Sequence, residues 1–478
     1  MQQAIAAPAT ARLPLWQRRP GVSFAVFGTV QITLIAAMTL ISVLLPAIQR
    51  ELGLDRAELA LVNNAYAVSF CGLLLLSGRL GDLLGLRRAL VVGMVVFGLA
   101  SVANAAATSF AVMLLARFGQ GIGAALTAPA AMALAGIVFR DPQRRARAIA
   151  IWGGLPVIGA TSGILLSGVV ANWVSWRWAF VVPAAVVALV LVLLPRVMPP
   201  APEPHRIRVD VLGAVLVTAG LGGVCYGLVE AAEQGWAAAG VLVPLLAGLV
   251  ALGSFALWEA RAEHPLVPLS FFRSRKRLLG LLGVMLASSG TVTTTYFLPL
   301  YFQQQQAFSP LMTSIAFLPY GIAMFATGLF AGWLAVTAGA RRMTAIGFAV
   351  GAAGLALLGQ LDIASPYVGT LLAGLVVFPV GAALIFSAAT AAAMDDVPDG
   401  QAGLAGGVLN TAMEGGPTIG FALLVSIAGT HTGRLTGGGT DAAVATTDGY
   451  GLAFTVAAAA YVAAIALSLL TLRRRYLG

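Results

Sequence analysis

Apolar residues fill this chain in long runs that begin at Val22 and recur almost to the end, separated by short basic or turn-rich breaks. Runs of about 20 apolar residues are what a helix needs to cross the hydrocarbon core of a bilayer. Fourteen such spans are predicted. The first seven fall at 22–46, 58–78, 88–108, 111–138, 147–172, 177–195 and 210–231. The others fall at 239–260, 277–302, 311–333, 342–360, 367–391, 402–430 and 449–472. The expected fold class is an all-α polytopic membrane protein.

Charge orients these spans. Basic residues near a span are retained on the cytoplasmic side. With both termini inside, 23 of the 28 basic residues fall in cytoplasmic segments. The outer segments hold Arg50, Arg56, Arg177 and Arg434, and Arg117 lies within a span. Arg12, Arg18 and Arg19 precede a first run that is too long for a signal-peptide core, so it reads as a span.

Composition agrees. The 478 residues are 59% hydrophobic and 10% charged, with a mean hydropathy of +0.92. Average globular domains carry about 25% charged residues. A net charge of +10 does not mark a nucleic-acid binder, because the basic residues lie between apolar runs and form no continuous stripe. Arg outnumbers Lys 27 to 1, and Ala and Gly are abundant, which points to a GC-rich bacterial source and an inner-membrane location. Cys71 and Cys225 lie in apolar runs as packing residues. His205, His264 and His431 are read as loop residues without ligand spacing, so no metal and no cofactor is expected. No phosphate-binding loop and no nucleophile with a convergent base is present, so an enzyme or an ATP-driven pump is not expected.

The chain carries an internal repeat. Gly78-Arg-Leu-Gly-Asp82-Leu-Leu-Gly85-Leu-Arg87-Arg88 aligns without gaps to Gly332-Trp-Leu-Ala-Val336-Thr-Ala-Gly339-Ala-Arg341-Arg342, displaced by 254 residues (78 to 332). Each copy follows the second span of its half. The expected organisation is a cytoplasmic tail at 1–21, a six-helix half at 22–195 and a linker with two inserted helices at 196–276. A second six-helix half at 277–472 and a tail at 473–478 complete it.

Several motifs stand on this frame. In the first loop, Gly78 and Gly85 allow a tight turn, Asp82 offers a carboxylate to helix ends and guanidinium groups, and Arg87 and Arg88 hold the cytoplasmic side. In the fourth span, Arg117, Gln120, Ala124 and Thr127 share one helical face, while Gly119 and Gly123 form a small-residue packing strip. An arginine there either faces an aqueous path or a partner acid, or snorkels to the outer surface. Glu414 lies about halfway along the thirteenth span, followed by Gly415, Gly416 and Pro417; the proline frees the carbonyl of Met413. Glu414 either faces a cavity, or is a neutral acid hydrogen-bonded to Asn410 one turn back. Trp176, Trp178 and Trp236 suit an interfacial aromatic belt.

Together these segments resemble the major facilitator superfamily, and within it the fourteen-span drug:proton antiporters. The loop 78–90, the Arg117–Pro129 segment and Asn63-Asn64-Ala65-Tyr66 carry the resemblance. So do Trp176–Phe180, Glu230 with Gly235-Trp236, and Tyr296–Gln303 followed by Ser309-Pro310 and Leu318-Pro319. The resemblance implies two six-helix halves plus two inserted helices, with substrate bound near midplane between the halves. It implies proton-coupled efflux of lipophilic or amphiphilic compounds, with a small lipophilic or cationic substrate, protons and membrane lipids as partners, no nucleic acid, and a monomer. Proton coupling and gating are expected of Asp82, Arg87, Arg88, Arg117 and Glu414. The substrate cavity is expected to be lined by Gln31, Asn64, Tyr66, Gln120, Tyr296, Tyr301, Asn410 and Glu414. Three departures stand out. Ala37 occupies the family's acidic position in the first span. The fifth-span glycine-proline signature is reduced to Gly159, Gly163, Ile164, Ser167 and Gly168. Glu414 introduces an acid where the family has none. Export or facilitated passage of an endogenous metabolite or lipid without strict coupling is the alternative; a non-transporting receptor or scaffold is the reading from another class.

Overall fold

A computed structural model of the chain describes residues 18–139, 141–199, 210–262, 272, 274–338, 340–394 and 402–473. Among these residues the secondary structure is helical, with no strand. The helices are α1 (Pro20–Thr39), α2 (Ile41–Leu52), α3 (Arg56–Leu84), α4 (Leu86–Ala105) and α5 (Phe110–Val138). Then come α6 (Pro142–Trp173), α7 (Trp178–Val197), α8 (Val211–Gln234), α9 (Ala239–Glu259) and α10 (Arg275–Gln304). The last six are α11 (Pro310–Ala316), α12 (Leu318–Ala338), α13 (Ala340–Leu358), α14 (Leu372–Met394), α15 (Ala402–Gly437) and α16 (Ala442–Arg473).

Twelve described segments are long and apolar enough to cross a membrane. Two shorter apolar stretches, Ile158–Trp173 and Arg342–Leu358, fall on the fifth and eleventh expected spans, so the fourteen-span reading holds. Many starts are set by a side-chain cap. Asp55 accepts from the Glu58 amide in a reciprocal capping box, and Ser109, Asp141, Asp210, Ser274 and Ser309 cap α5, α6, α8, α10 and α11. Two spans are broken. The first runs as α1 and α2, which part at Leu40, with Pro46 inside α2. The tenth runs as α11 and α12, where Pro319 cannot donate to the carbonyl of Ile315. The twelfth starts in a π-helical turn, Tyr367–Leu371, kinked at Gly369 (φ 157°).

Small residues set the helix spacing. A Cβ on Gly123 would lie 2.5 Å from the Phe97 amide nitrogen, and Gly93 meets the carbonyl of Gly123 in the same way, which locks α4 to α5. Gly381 does the same on α14, where a Cβ would run into the Gly351 amide nitrogen of α13, and the pair is displaced by 258 residues from Gly93 and Gly123 (93 to 351, 123 to 381). The two ends of the sequence thus use one packing device. The reduced fifth-span signature still works as a strip: Gly159 rests on Ile32 and Ile35, Gly163 on Ala36, and Gly168 on Ser314.

Helices α8 and α9 form a hairpin packed through Gly220, Gly223 and Gly227 against Gly248 and its neighbours. α8 also lies on both α3 and α15. α9 turns Val243, Leu246, Val250 and Leu257 outward, as a lipid-facing helix should. The early and late helices meet along three lines, α3 with α15, α6 with α11 and α12, and α2 with α10. One end of the bundle carries the arginine-rich loops; the other, arginine-poor end carries Arg50, Arg56, Arg177 and Arg434. His431 is not a loop residue. It sits in the last turns of α15 and reaches Asp448 of α16 at 3.4 Å. His205 and His264 lie outside the described residues.

Candidate functional site

The fourth-span face predicted from sequence assembles around Arg117, which is fully buried and does not snorkel. One terminal nitrogen, Nη1, donates to the Ala37 carbonyl at 2.9 Å and to Gln120 Oε1 at 3.0 Å. Gln120 in turn donates to the Ser101 hydroxyl at 2.8 Å, and Ser101 donates to the Phe97 carbonyl. The guanidinium carbon stands 5.1 Å from the centre of the Tyr66 ring, a cation–π contact, while the Tyr66 hydroxyl donates to the Leu34 carbonyl at 3.1 Å. Nε and Nη2 of Arg117 have no hydrogen-bond partner among the described residues. Gln31, lower on α1, has a buried Oε1 that is also unpartnered.

A second polar cluster forms where α3, α8 and α15 meet. Asn64 donates to the Thr418 carbonyl at 3.0 Å, and the Cys225 thiol donates to the same oxygen at 3.1 Å. Cys71 reaches the Thr411 carbonyl at 3.5 Å. Both cysteines are buried, as expected, but both also join this seam. Sequence reasoning missed that role, for which no local signal exists. Glu414 is half-buried one turn before Thr418, with its Oε2 buried and unpartnered; Asn410 is exposed.

The other expected residues lie elsewhere. Tyr296 stacks edge-on with Phe421 and lines a cleft of ≈ 50 Å³ at the arginine-poor end, together with Gln49, Arg56, Gln304 and Tyr450. That volume holds a handful of waters. Tyr301 donates to the Asp362 carbonyl at 2.6 Å and receives a bond from Gln306, so it braces a connecting loop. Arg87 and Arg88 are exposed at the arginine-rich end and line a groove of ≈ 550 Å³ with Leu84, Val91, Leu191 and Met198. The Asp82 side chain lies outside the described residues, as do most side chains of the second loop copy.

The arginine-poor end is closed by bonds between early and late helices. Gln303 donates to the Val43 carbonyl at 2.8 Å and Gln304 to Gln49 at 3.1 Å. Arg56 donates to the Thr446 hydroxyl at 2.9 Å, and the Ser314 hydroxyl donates to the Ile164 carbonyl at 2.7 Å. Beyond the end of the first span, Glu51 accepts from Arg177 and from the Trp176 indole. The Arg177 hydrogen bond, and then that of Trp176, hold the Glu51 carboxyl below its ordinary value of 4.5.

The sequence model described as Major Facilitator Superfamily matches residues 27–421. The cephamycin export protein of Amycolatopsis lactamdurans is 37% identical over 398 residues, 82% of each chain. The puromycin resistance protein of Streptomyces alboniger is 35% identical over 443 residues, 92% of this chain and 88% of its own. Among solved structures, the POT family transporter PepTSo superposes with a TM-score of 0.67 at 15% identity, covering 96% of this chain and 99% of that one. That likeness concerns the fold alone.

Proposed function

We propose, from the premise that this chain belongs to the Major Facilitator Superfamily, that it exports lipophilic or amphiphilic small molecules by alternating access coupled to proton entry. It is a multi-pass membrane protein, and relatives that match more than four-fifths of it are named for antibiotic export or resistance. The reading places the arginine-rich end in the cytoplasm, with residues 22–195 and 277–472 as the moving halves. The chain acts by transport, not catalysis.

The observation that carries the coupled reading is Glu414. An acid in mid-span must pair, meet water or stay protonated, and among the described residues Oε2 of Glu414 has no partner. It lies beside the seam of α3 and α15, where the halves meet. In the proposed cycle Glu414 releases its proton on one side of the membrane and meets a new proton, or a cationic group on the substrate, on the other. Asp82, Arg87 and Arg88 govern the cytoplasmic closure. Proteoliposome flux tests this: Glu414→Gln is expected to lower pH-driven flux at least about tenfold, as for loss of a proton carrier, and to flatten its pH dependence. Full-rate flux with the parent pH profile would remove the claim.

Ala37 favours a second reading, export or facilitated passage of an endogenous metabolite or lipid without strict coupling. Its carbonyl, not a carboxylate, meets Arg117. Flux that persists after the pH gradient is collapsed would select it.

A further inference from the structure

We infer that the free edge of Arg117 is a binding site for a carboxylate on the transported molecule, so that substrates of this chain carry an anionic group. The inference rests on the export reading and adds a substrate class to it.

A guanidinium has two edges that match a carboxylate. One is formed by Nη1 and Nη2, the other by Nε and Nη2. In this structure Nη1 is taken by the Ala37 carbonyl and Gln120. The two unpartnered nitrogens, Nε and Nη2, share the other edge. They are parallel donors at the spacing of two carboxylate oxygens. The side chain cannot drift to fill the gap itself, because Gln120 is tied to Ser101 and one guanidinium face lies over Tyr66.

Charge points the same way. Arginine keeps its proton in proteins, and this one is fully buried. Among the described residues no carboxylate lies within ion-pair distance of it. A buried charge without a counter-ion is costly. Residue 37, whose carbonyl touches Nη1, is where an acid could have neutralised it from within the same half; alanine leaves that to whatever enters. In the arrangement seen here the edge is enclosed, so the anion reaches it when the halves rearrange.

The test uses purified full-length protein and two isosteric probes, benzoate and benzamide. Benzoate at 10 mM is expected to raise the melting temperature by about 2 °C, and benzamide to leave it unchanged. Arg117→Lys, which keeps the charge but lacks the paired donors, is expected to lose the benzoate response. Ala37→Asp, which supplies a carboxylate from the protein, is expected to lose it as well. Equal responses to both probes in the unaltered chain would overturn the inference, and so would a benzoate response that survives both substitutions. If Arg117→Lys does not yield monodisperse protein, the probe comparison and Ala37→Asp still decide. Failure of the export reading would show as absent flux with the benzoate response intact. A chain that exports but does not distinguish the probes would sink this inference alone.

Discussion

The closure of the arginine-poor end can be weakened at one bond and read as a population. Gln303 on α10 donates to the Val43 carbonyl on α2, across the line where early and late helices meet. Gln303→Leu keeps the approximate volume and removes the donor. A neutral hydrogen bond contributes about 1 kcal/mol net, within a range of about 0.5–1.5. If the bond exists only while this end is closed, its loss raises the open-to-closed ratio about fivefold, and between about two- and thirteenfold over that range. Ala57 lines the cleft at this end and is buried. A cysteine placed there by Ala57→Cys reports opening through its rate of reaction with a bulky polar thiol reagent. Cys71 and Cys225 are buried and set the background. The control is Gln306→Leu, because among the described residues the Gln306 side chain bonds to Tyr301, Ile363 and Ser365, all late in the chain. The expected outcome is a labelling rate about fivefold higher with Gln303→Leu and unchanged with Gln306→Leu. An unchanged rate with Gln303→Leu, or an equal rise with both, would refute the assignment of this bond to closure.

Two further predictions concern stability. Gly123→Ala places a methyl 2.5 Å from the Phe97 amide nitrogen, a backbone atom that cannot turn aside, so α4 and α5 must separate. Overpacking of this kind costs about 1–3 kcal/mol, and a melting temperature lowered by several degrees is expected, whereas Gly253→Ala, with nothing within 4 Å, should leave it unchanged. Glu51 contributes through its charged form, since its carboxyl is held below 4.5 in the folded chain. The contribution is therefore complete above that pH and is lost as pH falls through the lowered folded value. The pair is partly exposed and limited to about 1 kcal/mol at most. The melting-temperature gap between the parent and Glu51→Gln should accordingly be small at pH 7 and vanish on acidification; a gap that grows toward low pH would contradict the sign.

What the sequence could not supply is register between distant helices. The spans were legible because a bilayer-length apolar run is a local property, but the tenth, read as one run at 311–333, is broken before Pro319 by one missing donor. The shared face of Arg117 and Gln120 was legible from helical spacing alone. Its partners were not. That the Ala37 carbonyl meets Nη1 depends on how closely α1 approaches α5, a distance set by packing across the fold. The same holds for Gln303 and Val43, 260 residues apart in sequence, and for the two cysteines on the α3–α8–α15 seam. The pair Gln303-Gln304 at the end of an apolar span was a usable signal, since polar amides there need partners. Tyr301, expected in the substrate cavity, shows the limit of the approach: residue type suggested a lining role, but its hydroxyl serves the loop at Asp362.

The departures at 37 and 414 change where charge can be balanced. An acid in the first span would sit in the same half as Arg117 and could neutralise it in every arrangement of the two halves. Such a fixed pair leaves Arg117 with no unbalanced charge. With Ala37, the early helices keep an unpaired cation, while the added acid, Glu414, belongs to the late helices on the far side of the α3–α15 line. In the proposed cycle, motion between the halves changes the separation of Arg117 and Glu414, which it could not do for a pair held within one half. Coulomb energy at low dielectric depends steeply on that separation. On the proposed reading, the rearrangement that opens one end is coupled electrostatically, whenever Glu414 is ionised, to what occupies the space between them.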